Sequence, residues 1–226
     1  MIKNIARGFA ALSALALCAT ASHAAQIGVS SYDMSNGDGQ AHGGTYNYWD
    51  TPYNGAASAG NTTTDGLSTN QLSGGTGKLT DGVIATQPWY AVSNAAGTGP
   101  YVGWLTPNSA SITFHFGASV DLNEIKLYVD NSDIGGVSAP NAVIVDGVSF
   151  TNTLYQTPTD TSVLDITGLD LHGDNVTVTF QYANAWVFLS EAQFFGSTSA
   201  VPEAGNLAMM LAGLSLFGIL ARRSRN

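Results

Sequence analysis

The feature that most restricts this chain is an alternation of apolar and polar side chains that recurs from Ser111 onward. Ile112, Phe114 and Phe116 alternate with Ser111, Thr113 and His115, and Ile125, Leu127 and Val129 alternate with Glu124, Lys126 and Tyr128. Successive side chains of an extended chain point to opposite faces, so this period predicts strands with one face buried. The same reading covers Ala142 to Val145, Val148 to Phe150, Val163 to Ile166, Val176/Val178/Phe180, Trp186 to Leu189 and Gln193 to Phe195, with Asp146-Gly147 as a hairpin turn. Residues 25–77 are rich in Gly, Ser, Thr, Asn and aromatics without a 3.6-residue apolar period, which predicts loops and short strands. Tyr101-Val102-Gly103-Trp104 reads equally as a strand or as a loop presenting Trp104. Many short strands separated by turn residues, with no helical stretch, predict one all-β antiparallel β-sandwich.

Charge is distributed unevenly. Of seven Lys and Arg, five (Lys3, Arg7, Arg222, Arg223 and Arg225) lie near the two ends, leaving Lys78 and Lys126 between. Two lysines against fifteen carboxylates from Ala25 to Val201 give a formal charge of about −13. Such a body repels phosphate backbones and anionic headgroups, so nucleic acid is excluded as a partner. At the N-terminus Lys3 and Arg7 precede an apolar stretch, Phe9 to Ala19, and Ser22-His23-Ala24 supplies small residues at a cleavage site, which predicts a signal peptide over residues 1–24 and an exported protein. The one thiol, Cys18, falls within that segment, and Leu17 before it is a poor match to a lipoprotein acylation site. A mature domain without disulfides must be held by its own core, by metal, or by both.

The C-terminal end reads Val201-Pro202-Glu203-Ala204, an apolar run from Leu207 to Leu220, and Arg222, Arg223 and Arg225. As a helix the run reaches about 21 Å against a hydrocarbon core of about 30 Å, a marginal transmembrane span. The Arg cluster would stay in the cytoplasm and the acidic body would face outward. This layout resembles the PEP-CTERM sorting signal of Gram-negative bacteria that export through an exosortase-type peptidase and often make exopolysaccharide. Ala204 stands where that family usually carries a second Pro. The resemblance implies Val201, Pro202, Glu203, Arg222 and Arg223 as the sorting signal, an exosortase-type peptidase as partner, and transient inner-membrane anchoring before release to the cell surface or the extracellular matrix. An anchor that is never cut is the alternative. The domain organisation is then a signal peptide at 1–24, one sandwich domain at 25–200 and a sorting segment at 201–226.

Within the body, Lys78-Leu79-Thr80-Asp81-Gly82 is followed by Thr86 and Trp89, and Trp186-Val187-Phe188-Leu189-Ser190-Glu191-Ala192-Gln193-Phe194-Phe195-Gly196 closes the pattern. From about Leu72 to Gly196 this resembles the galactose-binding-like jelly roll of discoidin and coagulation-factor type C domains. The resemblance implies that both ends of the domain meet at a structural calcium ion, with carboxylates from Asp81 and Glu191, a hydroxyl and carbonyl from Thr86 and a carbonyl from Lys78, all hard oxygen donors. The plainer alternative makes Asp81-Gly82 a turn and Glu191 a solvated strand residue. The resemblance also implies that Trp89 and Trp186 belong to the framework core. The block Ser31 to Asp50 with Gly74-Gly75-Thr76-Gly77 further resembles exported PEP-CTERM proteins.

Aromatic residues point to the ligand. Tyr46, Tyr48, Trp49 and Tyr53 crowd one segment, and Trp89, Tyr90, Tyr101 and Trp104 the next. A flat ring on a loop complements the apolar face of a sugar, so Tyr46, Trp49 and Trp104 are the candidate polysaccharide-binding residues. Exposure of all three around one concave surface would favour binding, and burial would favour a scaffold. Catalysis has little support: His42, His115 and His172 are scattered, and HExxH, G-x-S-x-G and CxxC are absent. The expected function is therefore a non-catalytic, calcium-stabilised binding module for a polysaccharide, with a structural surface or biofilm-matrix protein lacking a small ligand as the alternative.

Overall fold

The computed structural model describes residues 24–36, 45–58, 70–106 and 110–198. Residues 1–23 of the predicted signal peptide, the apolar C-terminal run, and Val201, Pro202, Glu203, Arg222 and Arg223 lie outside the described residues. No helix among the described residues is long and apolar enough to cross a membrane.

The fold is all-β and antiparallel, as the alternation predicts. Its strands are β1 (Ala25–Ile27), β2 (Ser31–Asn36), β3 (Ala56–Ala57), β4 (Asn70–Gly75), β5 (Val102–Leu105), β6 (Ser111–Asp130), β7 (Ala142–Val145), β8 (Val148–Thr151), β9 (Thr161–Gln181) and β10 (Trp186–Thr198). One four-residue helix, α1 (Trp89–Val92), and 3₁₀ turns at Lys78–Thr80 and Leu154–Gln156 interrupt the loops. Residues 102–105 thus resolve the open choice at Trp104 in favour of a strand.

Two long strands build both layers. The first halves of β6 and the last residues of β9 pair with each other and belong with β2, β4 and β7, whereas the second half of β6 pairs with β10 and the first half of β9. Between these halves the β6–β9 register shifts after His115 and again after Leu122, so the ribbon bends and lays one layer over the other. Phe114 from one layer and Phe194 from the other meet with ring centroids 4.8 Å apart. The alternate residues Ile112, Phe114, Ile125, Leu127, Val178 and Leu189 are all buried between the layers. The Asp146-Gly147 hairpin is present between β7 and β8, with φ of 45° and 84°, the left-handed pair that a two-residue turn requires.

Candidate functional site at the loop end

At one end of the sandwich the segments around Tyr46–Tyr53 and Lys78–Trp89 are joined by buried polar side chains. Asp50 is only 1% exposed. Its Oδ1 accepts the Lys78 backbone N–H at 2.8 Å, and its Oδ2 accepts the Tyr32 hydroxyl from β2. Burial raises the Asp50 carboxyl, an effect that these two bonds and the Lys78 charge offset only in part. Gly77 is required beside it, because a Cβ there would come within 2.4 Å of Asp50 Oδ1. The Tyr53 hydroxyl adds a second tie, donating to the Tyr32 carbonyl at 2.6 Å and accepting from the Gly75 N–H at 2.8 Å.

Lys78 is buried, and its ammonium donates to the Trp49 carbonyl at 2.8 Å. Burial lowers its pKa to about 8, despite the nearby Asp50 and Asp81 charges. The lysine side chain therefore fixes the backbone at Trp49 while its charge remains close enough to Asp81 to be felt there. Asn47 Oδ1 accepts the Trp49 N–H at 2.8 Å, which closes a local turn over the same residue.

Of the predicted metal residues, Asp81 lies near both Glu191 and Lys78, whereas no contact ties Thr86 to them among the described residues. The 3₁₀ turn carrying Lys78 leads to Asp81, whose Oδ1 accepts the Val83 N–H at 2.8 Å. The next residues lie along β10: Gly82 N–H donates to Glu191 Oε2 at 3.1 Å and Ala85 N–H to Ser190 Oγ at 3.2 Å. Thr86 follows, exposed. Glu191 lies at a register shift in β10 and is only 2% exposed, so it is not a solvated strand residue. Burial, with a contribution from the Asp81 charge, raises its carboxyl to about 7, although the Gly82 N–H pulls the other way. A buried carboxylate beside a second one is costly without a cation. The Thr80 hydroxyl, one residue before Asp81, is buried without a hydrogen-bond partner among the described residues. Among the described residues no three His, Cys, Asp or Glu side chains form a metal-binding group. A cation at this corner would therefore need carbonyl and hydroxyl oxygens beside the two carboxylates, which is the donor set calcium accepts.

The predicted ligand residues do not form one surface. Trp104, 1% exposed, is a core residue of β5 whose ring N–H donates to the Ser35 carbonyl at 2.8 Å. This corrects the expectation that it presents its ring to a ligand: the strand turns the side chain inward between the layers. Tyr46 is half-buried, stacked on Tyr48 with centroids 6.1 Å apart and meeting the Trp89 ring edge-on at 5.1 Å. Trp89 and Trp186, expected in the core, are half-buried and pack on the second cluster that contains Tyr48, Tyr101 and Phe188. Trp49 lines a cleft of about 330 Å³ with Asn47, Thr51, Tyr53 and Leu72, above the buried Asp50. Thr51 is shared with a second cleft of about 340 Å³ that includes Lys78, Asp81 and Thr98. The Trp49 cleft and the Asp81 corner are thus neighbours.

Sequence reasoning missed Asp50, Asp130 and Asn131. Asp130 is buried and accepts the Trp89 N–H at the start of α1 at 2.6 Å, together with the Ser132 N–H and hydroxyl. Asn131 donates to the Leu154 carbonyl at 2.9 Å and accepts the Ala139 N–H at 3.1 Å. The available signal was position: Asp130 and Asn131 end an apolar alternating run, where a polar pair marks the strand's exit into loops.

No curated protein matches this chain. Among solved structures, a fucolectin from striped bass serum is 10% identical, with a TM-score of 0.38 over 54% of this chain and 41% of its own, so this chain spans less than half of that one. The family 32 CBM from C. perfringens NanJ, solved in complex with galactose, is 11% identical, with a TM-score of 0.36 over 65% of this chain and 95% of its own. The lectin binding domain of lectinolysin, a His 62 mutant complexed with Lewis b, is 14% identical, with a TM-score of 0.39 over 66% and 96%. The family model for the discoidin domain-containing receptor 1/2, DS-like domain, matches residues 28–196, and the chain belongs to that family.

Proposed function

We propose that this protein is a non-catalytic, calcium-stabilised module that binds a polysaccharide through the Trp49 cleft, and that it is exported and sorted to the cell surface or matrix by an exosortase-type system. The observation that carries the reading is the Trp49 cleft itself. It combines two aromatic side chains with the polar groups of Asn47 and Thr51 and adjoins the Asp81 corner through Thr51. Rings give the apolar face of a sugar a flat partner, and amide and hydroxyl groups meet its hydroxyls. Lys78 holds the Trp49 carbonyl, so the ring's backbone is set before a ligand arrives. Asp81, Glu191, Thr86 and the Lys78 carbonyl would hold calcium, whose charge would compensate the buried Glu191 carboxylate. With a formal charge of about −13 between Ala25 and Val201, neutral or amino sugars are the favoured ligands over anionic ones.

A glycan array probed with the full chain in millimolar calcium, then in EDTA, tests this reading. The expected result is binding to a defined set of neutral or amino glycans that both EDTA and Trp49→Ala abolish. A second reading, a structural surface or biofilm-matrix body without a small ligand, is favoured by the burial of Trp104 and the packing of Tyr46 against Tyr48 and Trp89. Silence on the array from folded protein would select it.

A further inference from the structure

The two layers end differently on the side away from β10. β9 pairs with β6 along most of its length, but β7 joins its other edge only from Val178 to Gln181. Among the described residues no strand pairs with that outer edge between Ser162 and Thr167, and no backbone hydrogen bond outside the ladders reaches it. Among the described residues β8, the edge of the opposite layer, pairs with β7 alone. Between these two open edges runs a cleft of about 480 Å³, with Phe150 and Leu154 on one wall and Leu164 and Ile166 on the other.

An unpaired edge beside an apolar groove is a template for strand addition, because each added residue satisfies backbone groups while alternate side chains fill the groove. We propose that the Ser162–Thr167 edge takes up an extended cationic peptide segment as an additional strand. Leu164 and Ile166 point inward and are buried, whereas Val163, Asp165 and Thr167 face outward. A strand laid beside them would place every second side chain against Phe150 and Leu154, and the intervening ones beside Asp165. The Asp165 side chain is 45% exposed and lies 3.8 Å from Lys126, while Asp170 farther along is 94% exposed. An incoming Lys or Arg beside Asp165 therefore meets a carboxylate that it shares with Lys126, a favourable cross-strand pair. Charge selects against a second copy of this chain, since two bodies of about −13 repel. The edge from Thr161 to Leu171 also lacks the Lys, Arg or Pro that commonly blocks such pairing. The peptide is thus one in which apolar and basic residues alternate. This surface shares no residue with the Trp49 cleft, so the inference stands apart from the polysaccharide reading.

The test uses the full chain and a short fluorescent peptide in which valine and lysine alternate. Two controls accompany it, one N-methylated at the pairing amides and one with glutamate for lysine. Fluorescence anisotropy should show saturable binding of the lysine peptide, weakened about tenfold or more by N-methylation and equally by glutamate. Asp165→Asn, checked for folding by circular dichroism, should weaken it about threefold or more. Amide exchange across Ser162–Thr167 should slow when the peptide is bound. Binding that N-methylation leaves unchanged, absence of binding at millimolar peptide, or self-association that protects these amides without peptide would each overturn the proposal.

Discussion

The interior between the layers and the loop end are held together in different ways. Between the layers, Phe114, Ile125, Leu127 and Phe194 are buried by a repeating strand pattern, and Phe114 and Phe194 meet across the interface. At the loop end, a smaller aromatic group around Tyr48, Tyr101 and Phe188 is pinned by single polar side chains: Asp50, Lys78, Asp130 and Glu191 each bond the backbone of a distant segment. Apolar burial tolerates small shifts because it has no direction, whereas a buried polar group loses its stabilisation once its partner moves. The first region therefore specifies that the chain folds, and the second specifies where Trp49 and the Asp81 corner sit.

Substitutions should separate the two. Phe194→Ala, in the layer interface, is expected to have the largest effect, about 4 kcal/mol lost in urea denaturation with loss of the whole fold together. Asp50→Ala should cost about 3 kcal/mol, since it leaves the Tyr32 hydroxyl and the Lys78 N–H without their acceptor. If both costs fell below about 1 kcal/mol, the contrast would be wrong in its premise.

Glu191 gives a sharper test through pH. Its carboxyl is raised from 4.5 to about 7, so the metal-free fold holds a proton that the unfolded chain releases between those values. Metal-free stability should therefore be greatest below about pH 4.5 as far as this group is concerned, and should fall as pH rises to about 7, by up to about 1.4 kcal/mol per pH unit. Glu191→Gln should remove that slope, raise metal-free stability at pH 8 by about 1–2 kcal/mol, and abolish any gain from calcium. Thermal melts across pH in EDTA measure all three. The smallest stability effect, within about 0.5 kcal/mol, is expected for Trp49→Ala, which should change glycan binding without changing the melt.

The strands were legible because their signal is local. Ile112 to Val129 announce the buried face within a few residues, although the sequence divides there into two runs where the fold makes the single bent strand β6. Gly117, with φ of 74°, sits in that bend and reads in sequence as an interruption. The loop end was legible only where a motif covered it: the motif singled out Glu191, whose carboxylate accepts the Gly82 N–H across 109 residues and whose charge faces Asp81. Asp50 had no such pointer, because its partners lie 18 and 28 residues away in segments without periodicity. Trp104 was misread for the same reason, since the Ser35 carbonyl that accepts its ring N–H is 69 residues distant.

The most direct test of the account is residue-resolved amide exchange on the full chain, with calcium and again in EDTA. The account predicts that EDTA speeds exchange at Gly82 and Ala85, whose amides bond Glu191 and Ser190, while the paired amides of β6 and β9 keep their protection. Equal exchange under both conditions, or a uniform loss that reaches β6 and β9, would contradict it.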